Sequence, residues 1–232
     1  MTLVLAHRGA NRAAPENTVA AFSRAVELGA DGVELDIHRS ADGGLFVRHD
    51  ATTPFGVLAE MTTAEIRRAL PDVATLDEAL DVCSGLLVNI EIKNVPTEAD
   101  WDPTDRVAEM LVELLARRGE RDRVLVSSFT LSSIDRVRSL APQVQTALLT
   151  WGTDPLAALT IVESHGHSAL HPDVVSVAGA RAGAAANHAH ERGIEVNVWT
   201  VNEPAEVTRL AAAGIDAVIT DVPEVALRAL GR

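Results

Sequence analysis

Short aliphatic runs alternate with longer amphipathic stretches from one end of this chain to the other, and that alternation restricts the fold more than any other feature. The runs Leu3–Ala6, Gly32–Ile37, Leu86–Ile92, Val124–Ser127, Thr146–Leu149, Ala169–Leu170, Glu195–Trp199 and Ala217–Thr220 read as buried strands. Between them, Asn17–Leu28, Leu76–Cys83, Thr104–Arg118, Ser132–Leu140, Pro155–Ser164, Ala178–Arg192, Ala205–Ala213 and Pro223–Leu230 repeat apolar residues at helical spacing. Asp42-Gly43-Gly44 predicts a turn and Leu45–Val47 a short additional strand. Eight βα units within 232 residues predict one α/β domain over 1–232, a (β/α)8 TIM barrel with a short insertion after the second strand. A doubly wound sheet also alternates, but its first strand leads into a glycine-rich phosphate turn, which His7-Arg8-Gly9-Ala10-Asn11 is not.

Charge and composition remove whole classes of function. The net charge is −13 and the basic residues form no run, which argues against nucleic acid and against stable membrane association. Aromatic residues make up 3%, so the core has to be aliphatic. A lone cysteine, Cys83, rules out an internal disulfide and suits a reducing compartment; it is expected to be buried and inert. With no signal-peptide pattern and no run of membrane-spanning length, a cytoplasmic protein is expected. Composition says nothing about the oligomeric state.

The polar residues that stand out fall where predicted strands end, which is the face on which barrel enzymes build their sites. His7 and Arg8 follow the first strand, Glu34 and Asp36 close the second, and Glu91 and Lys93 close the third. Phe129 follows the fourth strand, His171 the sixth, Trp199 ends the seventh, and Asp221 follows the eighth. Glu34 and Asp36 are two apart and so share a face, with Val33, Leu35 and Ile37 on the other. Three carboxylates at strand ends are costly to bury unless neutralised, and an all-oxygen set selects a hard divalent cation, Mg²⁺ or Ca²⁺. His7 and His49 are the acid–base candidates because imidazole titrates near neutrality. Arg8 suits forked hydrogen bonds to phosphate, and Lys93 suits a single charged oxygen. Glu16 and Asn17, after Pro15, read as a helix start near this site. His171, Phe129 and Trp199 are candidates for contact with the substrate. His165, His167, His188 and His190 read as a solvated helix and loop, since no cysteine or carboxylate stands near them at zinc spacing.

These residues together resemble a known family. His7-Arg8-Gly9, Pro15-Glu16-Asn17-Thr18, Gly29-Ala30-Asp31-Gly32-Val33-Glu34-Leu35-Asp36, Asp42-Gly43 and His49-Asp50 are similar to the opening signature of the glycerophosphodiester phosphodiesterases. Glu91-Ile92-Lys93, His171-Pro172, Trp199-Thr200-Val201-Asn202 and Thr220-Asp221 resemble the later blocks, in order but more loosely. The resemblance implies a barrel that hydrolyses a small-molecule glycerophosphodiester to glycerol 3-phosphate and an alcohol. It also implies that Glu34, Asp36 and Glu91 hold the cation, that His7 and His49 act as general base and acid, and that Arg8 and Lys93 grip the phosphate. The chain departs from the pattern after His49-Asp50, where an insertion with an Arg-Thr-Thr stretch is replaced by a short run to Thr75-Leu76. Two other readings compete: a phospholipase D-like hydrolase of lysophospholipids, and a non-catalytic barrel that binds a phosphorylated polyol.

Overall fold

The computed structural model describes residues 1–232. Eight parallel strands form the barrel: β1 (Leu3–His7), β2 (Gly32–Arg39), β6 (Leu87–Ile92), β7 (Val124–Ser128), β8 (Gln145–Thr150), β9 (Ala169–Pro172), β10 (Glu195–Val198) and β11 (Ala217–Thr220). They pair in sequence order, and β1 bonds to both β2 and β11, so the sheet closes. Closure removes the unpaired edges that an open sheet would leave. A further strand, β3 (Leu45–Val47), pairs antiparallel with β2 outside the ring.

Helices α1 (Val19–Leu28), α4 (Arg106–Arg118), α5 (Leu131–Leu140), α6 (Pro155–His165), α7 (Arg181–His190), α8 (Pro204–Ala212) and α9 (Pro223–Ala229) cover the outside. The sequence of α4 shows why: Val107, Ala108, Leu111, Leu114 and Leu115 lie along one stripe and are buried, while Arg117 and Arg118 favour its negative C-terminal end. Period-two alternation divides each strand in the same way. On β2, Val33, Leu35 and Ile37 join an outer core with Phe22, Leu76, Leu80 and Leu111, while Glu34 and Asp36 face the barrel interior. A small apolar layer of Leu5, Ala217 and Ile219 lies within the ring.

The second connection carries more secondary structure than predicted. After β3 come a two-stranded hairpin, β4 (Thr52–Thr53) with β5 (Gly56–Val57), then a 3₁₀ turn at Leu58–Glu60 and helices α2 (Thr63–Ala69) and α3 (Leu76–Val82). Only α3 shows up as a helix by apolar spacing; α2 is one short amphipathic piece with a single buried residue, Ile66. Both helices begin with a capping box, Thr62 with Glu65 and Thr75 with Glu78. Cys83 caps α3 and is buried, as expected.

The start of α1 corrects the expectation for residues 16 and 17. Thr18 is the cap, its hydroxyl accepting from the Ala21 N–H, and the helix begins at Val19. Asn17 lies outside the helix with φ 57° and points its side chain into the barrel mouth.

Candidate active site

Strand register assembles the acids. His7 pairs with Glu34 across β1–β2, and Asp36 pairs with Glu91 across β2–β6. Oxygen atoms of Glu34, Asp36 and Glu91 therefore lie within 4.8 Å of one another, and all three side chains are buried. Burial, reinforced by the charges of Asp36 and Glu91, pushes Glu34 well above the usual carboxylate range. Burial and Asp36 raise Glu91 to about 7.

Two cations stand against three acids. Lys93 Nζ is 3.0 Å from Glu91 Oε1 and 3.8 Å from Asp36 Oδ1, and Arg8 Nε is 3.4 Å from Asp36 Oδ2. Burial alone would lower the Lys93 pKa, but Glu91 and Asp36 outweigh it and raise it. The acids are also aimed by neutral donors: Asn17 Nδ2 donates to Asp36 Oδ2 at 2.8 Å, and the Arg8 backbone N–H donates to Glu34 Oε2 at 3.0 Å. The surplus of negative charge and the all-oxygen donor set fit a hard divalent cation.

The turn that carries Arg8 depends on glycine. Gly9 has φ +77°, and a Cβ there would stand 2.7 Å from the Ala21 backbone carbon. With the turn held against α1, the Arg8 guanidinium reaches Glu16, donating at 3.0 and 3.1 Å.

Each of the two site histidines has its Nδ1 on a carboxylate. His7 Nδ1 is 2.7 Å from Asp221 Oδ1, and its Nε2 is 3.9 Å from Glu34 Oε2. Asp221 also accepts from Asn11 Nδ2 at 2.7 Å and Asn202 Nδ2 at 2.8 Å. Its partial burial favours the neutral acid, but the hydrogen bonds from His7, Asn11 and Asn202 outweigh this and hold it below the usual carboxylate range. His49 Nδ1 is 2.7 Å from Asp50 Oδ1. The His49 carbonyl accepts from Nε2 of the buried His38 at 3.0 Å, and His38 Nδ1 is 2.6 Å from Asp100 Oδ2.

A cavity of about 480 Å³ opens over this cluster. His7, Arg8, Glu34, His49, Glu91 and Lys93 line one side; Val95, Phe129, Leu149, Trp151, Trp199 and Ile219 form an apolar wall. Phe129 and Trp199 meet edge to face, 5.5 Å between centroids, and Trp199 Nε1 donates to the His171 carbonyl at 2.9 Å.

Of the residues singled out by sequence, His7, Arg8, Glu34, His49, Glu91, Lys93, Phe129 and Trp199 border the cavity, and Asp36 lies buried within the carboxylate cluster. His171 does not border it, which corrects the expected substrate contact. It is fully buried inside the barrel, where Asn197 Nδ2 donates to its Nε2 at 3.0 Å and burial lowers its pKa to about 3. Its position on a short strand before Pro172 gave no sign of this inward burial. Sequence spacing also did not reveal the partnership of Asp221 with His7, the contact of Asn17 with Asp36, or Trp151 and Glu98 at the rim. For Asp221 the strand-end position was the available signal; Trp151 gave none.

Residues 7–225 match the glycerophosphoryl diester phosphodiesterase family. The chain belongs to that family. A glycerophosphodiester phosphodiesterase from Caldanaerobacter subterraneus subsp. tengcongensis is 32% identical over 96% of this chain and 95% of its own length. The crystal structure of the glycerophosphodiester phosphodiesterase of Thermotoga maritima superposes with a TM-score of 0.82 at 28% identity, covering 100% of this chain and 99% of that one. An Oleispira antarctica phosphodiesterase in complex with the product sn-glycerol-3-phosphate shares the fold, with a TM-score of 0.87 at 24% identity over 100% and 98% of the two chains. Glycerophosphodiester phosphodiesterases are hydrolases, and this family member is a phosphodiester-cleaving enzyme. No helix of this family member is long and apolar enough to cross a membrane.

Proposed function

We propose that this chain hydrolyses glycerophosphodiesters to glycerol 3-phosphate and an alcohol, using one divalent cation, Mg²⁺ or Ca²⁺, and the pair His7 and His49. The observation that carries the proposal is the placement of three buried carboxylates beside two imidazoles whose Nδ1 atoms are both taken by acids. Glu34, Asp36 and Glu91 would hold the cation, which when bound supplies Lewis-acid polarisation of a phosphoryl oxygen.

The remaining chemistry belongs to side chains. An ionised Asp221 keeps the His7 proton on Nδ1 and leaves the Nε2 lone pair free, the arrangement of a general base. His49, more exposed at the rim, would give a proton to the leaving alkoxide. Arg8 and Lys93 offer guanidinium and ammonium donors to the phosphate, and the Phe129–Trp199–Trp151 wall lines the space for the alcohol. A non-catalytic binder has no use for two aligned proton carriers, and the net charge of −13 disfavours work on an anionic lipid surface.

The experiment is a panel of glycerophosphodiesters assayed after EDTA stripping, with Mg²⁺ or Ca²⁺ restored separately. Loss of hydrolysis on stripping and recovery with one cation supports the reading. Full activity after stripping, or tight binding with no product, overturns it. Detection of a cyclic phosphate would identify the substrate's glycerol 2-hydroxyl as nucleophile; its absence under single turnover would point to water.

A further inference from the structure

The two histidines read from the sequence as solvated, His165 and His167, meet a carboxylate that only the tertiary fold supplies. Asp135 on α5 faces the end of α6, and its Oδ1 and Oδ2 are each 3.0 Å from His165 Nδ1. Asp135 Oδ1 is also 3.3 Å from His167 Nε2. One ligand atom from each of the three residues lies within 4.8 Å of the others. His165 and Asp135 are open to solvent, whereas the His167 side chain is fully buried.

His167 is the informative residue. Its Nδ1 is 2.9 Å from the hydroxyl of Thr146, which lies on the outward face of β8, while the alternate residue Leu149 lines the catalytic cavity. Its Nε2 is buried and makes no hydrogen bond, although Asp135 lies within reach. A buried imidazole nitrogen that makes no hydrogen bond is costly, so its persistence needs a reason. A neutral ring that gives its Nδ1 proton to Thr146 presents a lone pair at Nε2, 3.3 Å from Asp135 Oδ1.

We propose that Asp135, His165 and His167 form a second metal site, for Zn²⁺, that clamps α5 to the turn between α6 and β9. Donors on a tetrahedral zinc ion stand about 3.3–3.6 Å apart, close to the 3.0 and 3.3 Å that separate Asp135 from the two imidazoles. Two imidazoles and one carboxylate select Zn²⁺ over the hard cations suited to Glu34, Asp36 and Glu91. The Thr146 hydroxyl, 2.9 Å from Nδ1, is the outer partner that would accept the Nδ1 proton of a ligating His167. His167 precedes β9, so the site lies at the N-terminal end of that strand, at the opposite end of the barrel from the catalytic cluster.

The test is Zn²⁺ alone, equilibrated with EDTA-stripped full-length protein and counted by metal analysis, with thermal unfolding recorded in parallel. The wild type should bind one equivalent more than His165→Ala or Asp135→Asn, and its Tm should rise with Zn²⁺ while theirs does not. Both variants change exposed residues outside the catalytic machinery, so hydrolysis in Mg²⁺ or Ca²⁺ should match the wild type and serves as the folding control. Glu91→Gln should leave the zinc equivalent at Asp135 in place. Equal zinc content and equal Tm shifts in wild type, His165→Ala and Asp135→Asn would overturn the proposal and leave a plain histidine–aspartate ion pair.

Discussion

His7 and Asp221 join the first strand of the barrel to the last, with Nδ1 and Oδ1 2.7 Å apart. The two residues are 214 apart in sequence and become neighbours because β1 pairs with β11. Asp221→Asn removes the charge that holds the His7 tautomer, and kcat for glycerophosphodiester hydrolysis should fall about 10²–10⁴-fold, as for His7→Ala. Steady-state kinetics of the two variants check this; unchanged turnover in either would remove the dyad from the mechanism.

The same carboxylate makes a pH prediction. Its pKa is lower in the folded chain than the ordinary value of about 3.9, so the folded state holds fewer protons than the unfolded state near that pH. Its stabilising contribution is complete above about pH 4 and is lost as the pH falls towards the folded pKa. Denaturant unfolding should show wild type more stable than Asp221→Asn at neutral pH, with the gap narrowing below about pH 4.

Asn17 is predicted to act through Asp36. It sits at φ 57° with its Nδ2 2.8 Å from Asp36 Oδ2, so Asn17→Ala frees a carboxylate in the candidate cation cluster. Loss of such an outer contact typically costs about 10–100-fold in metal affinity or activity. Calorimetric titration of the stripped variant with the activating cation measures the loss directly, and affinity equal to wild type would reduce Asn17 to a turn residue.

Cys83 is expected to be silent. Its side chain is buried and its thiol is pushed up to about 12 by burial, so almost no thiolate exists at pH 8 in the folded chain. Alkylation at pH 8 should be slow in native protein and fast in denaturant. Rapid native labelling would show that the C-terminal end of α3 opens.

The outer core sets a stability prediction. Leu111 is fully buried between α4 and the strands it covers, so Leu111→Ala should destabilise the fold by about 2–5 kcal/mol through lost transfer energy and a residual cavity. Urea unfolding at neutral pH measures it, and a cost below about 1 kcal/mol would show that the helix layer collapses to fill the space.

Local pattern and tertiary contact contributed different things. The eight strands and their covering helices were legible in sequence because strand and helix each impose a period that buried side chains must follow, as α4 and β2 show. The pairing of Glu34 with Asp36 was legible for the same reason, since residues two apart on a strand share a face. What the sequence could not reveal depends on contacts between distant segments. That Glu91 falls opposite Asp36, that Asp221 seizes His7, that His171 turns inward to Asn197 and that Asp135 meets His165 and His167 are consequences of register and helix packing. Short-range periodicity fixes which way a side chain points relative to its own element, whereas its neighbour is chosen only when the sheet closes and the helices seat against it.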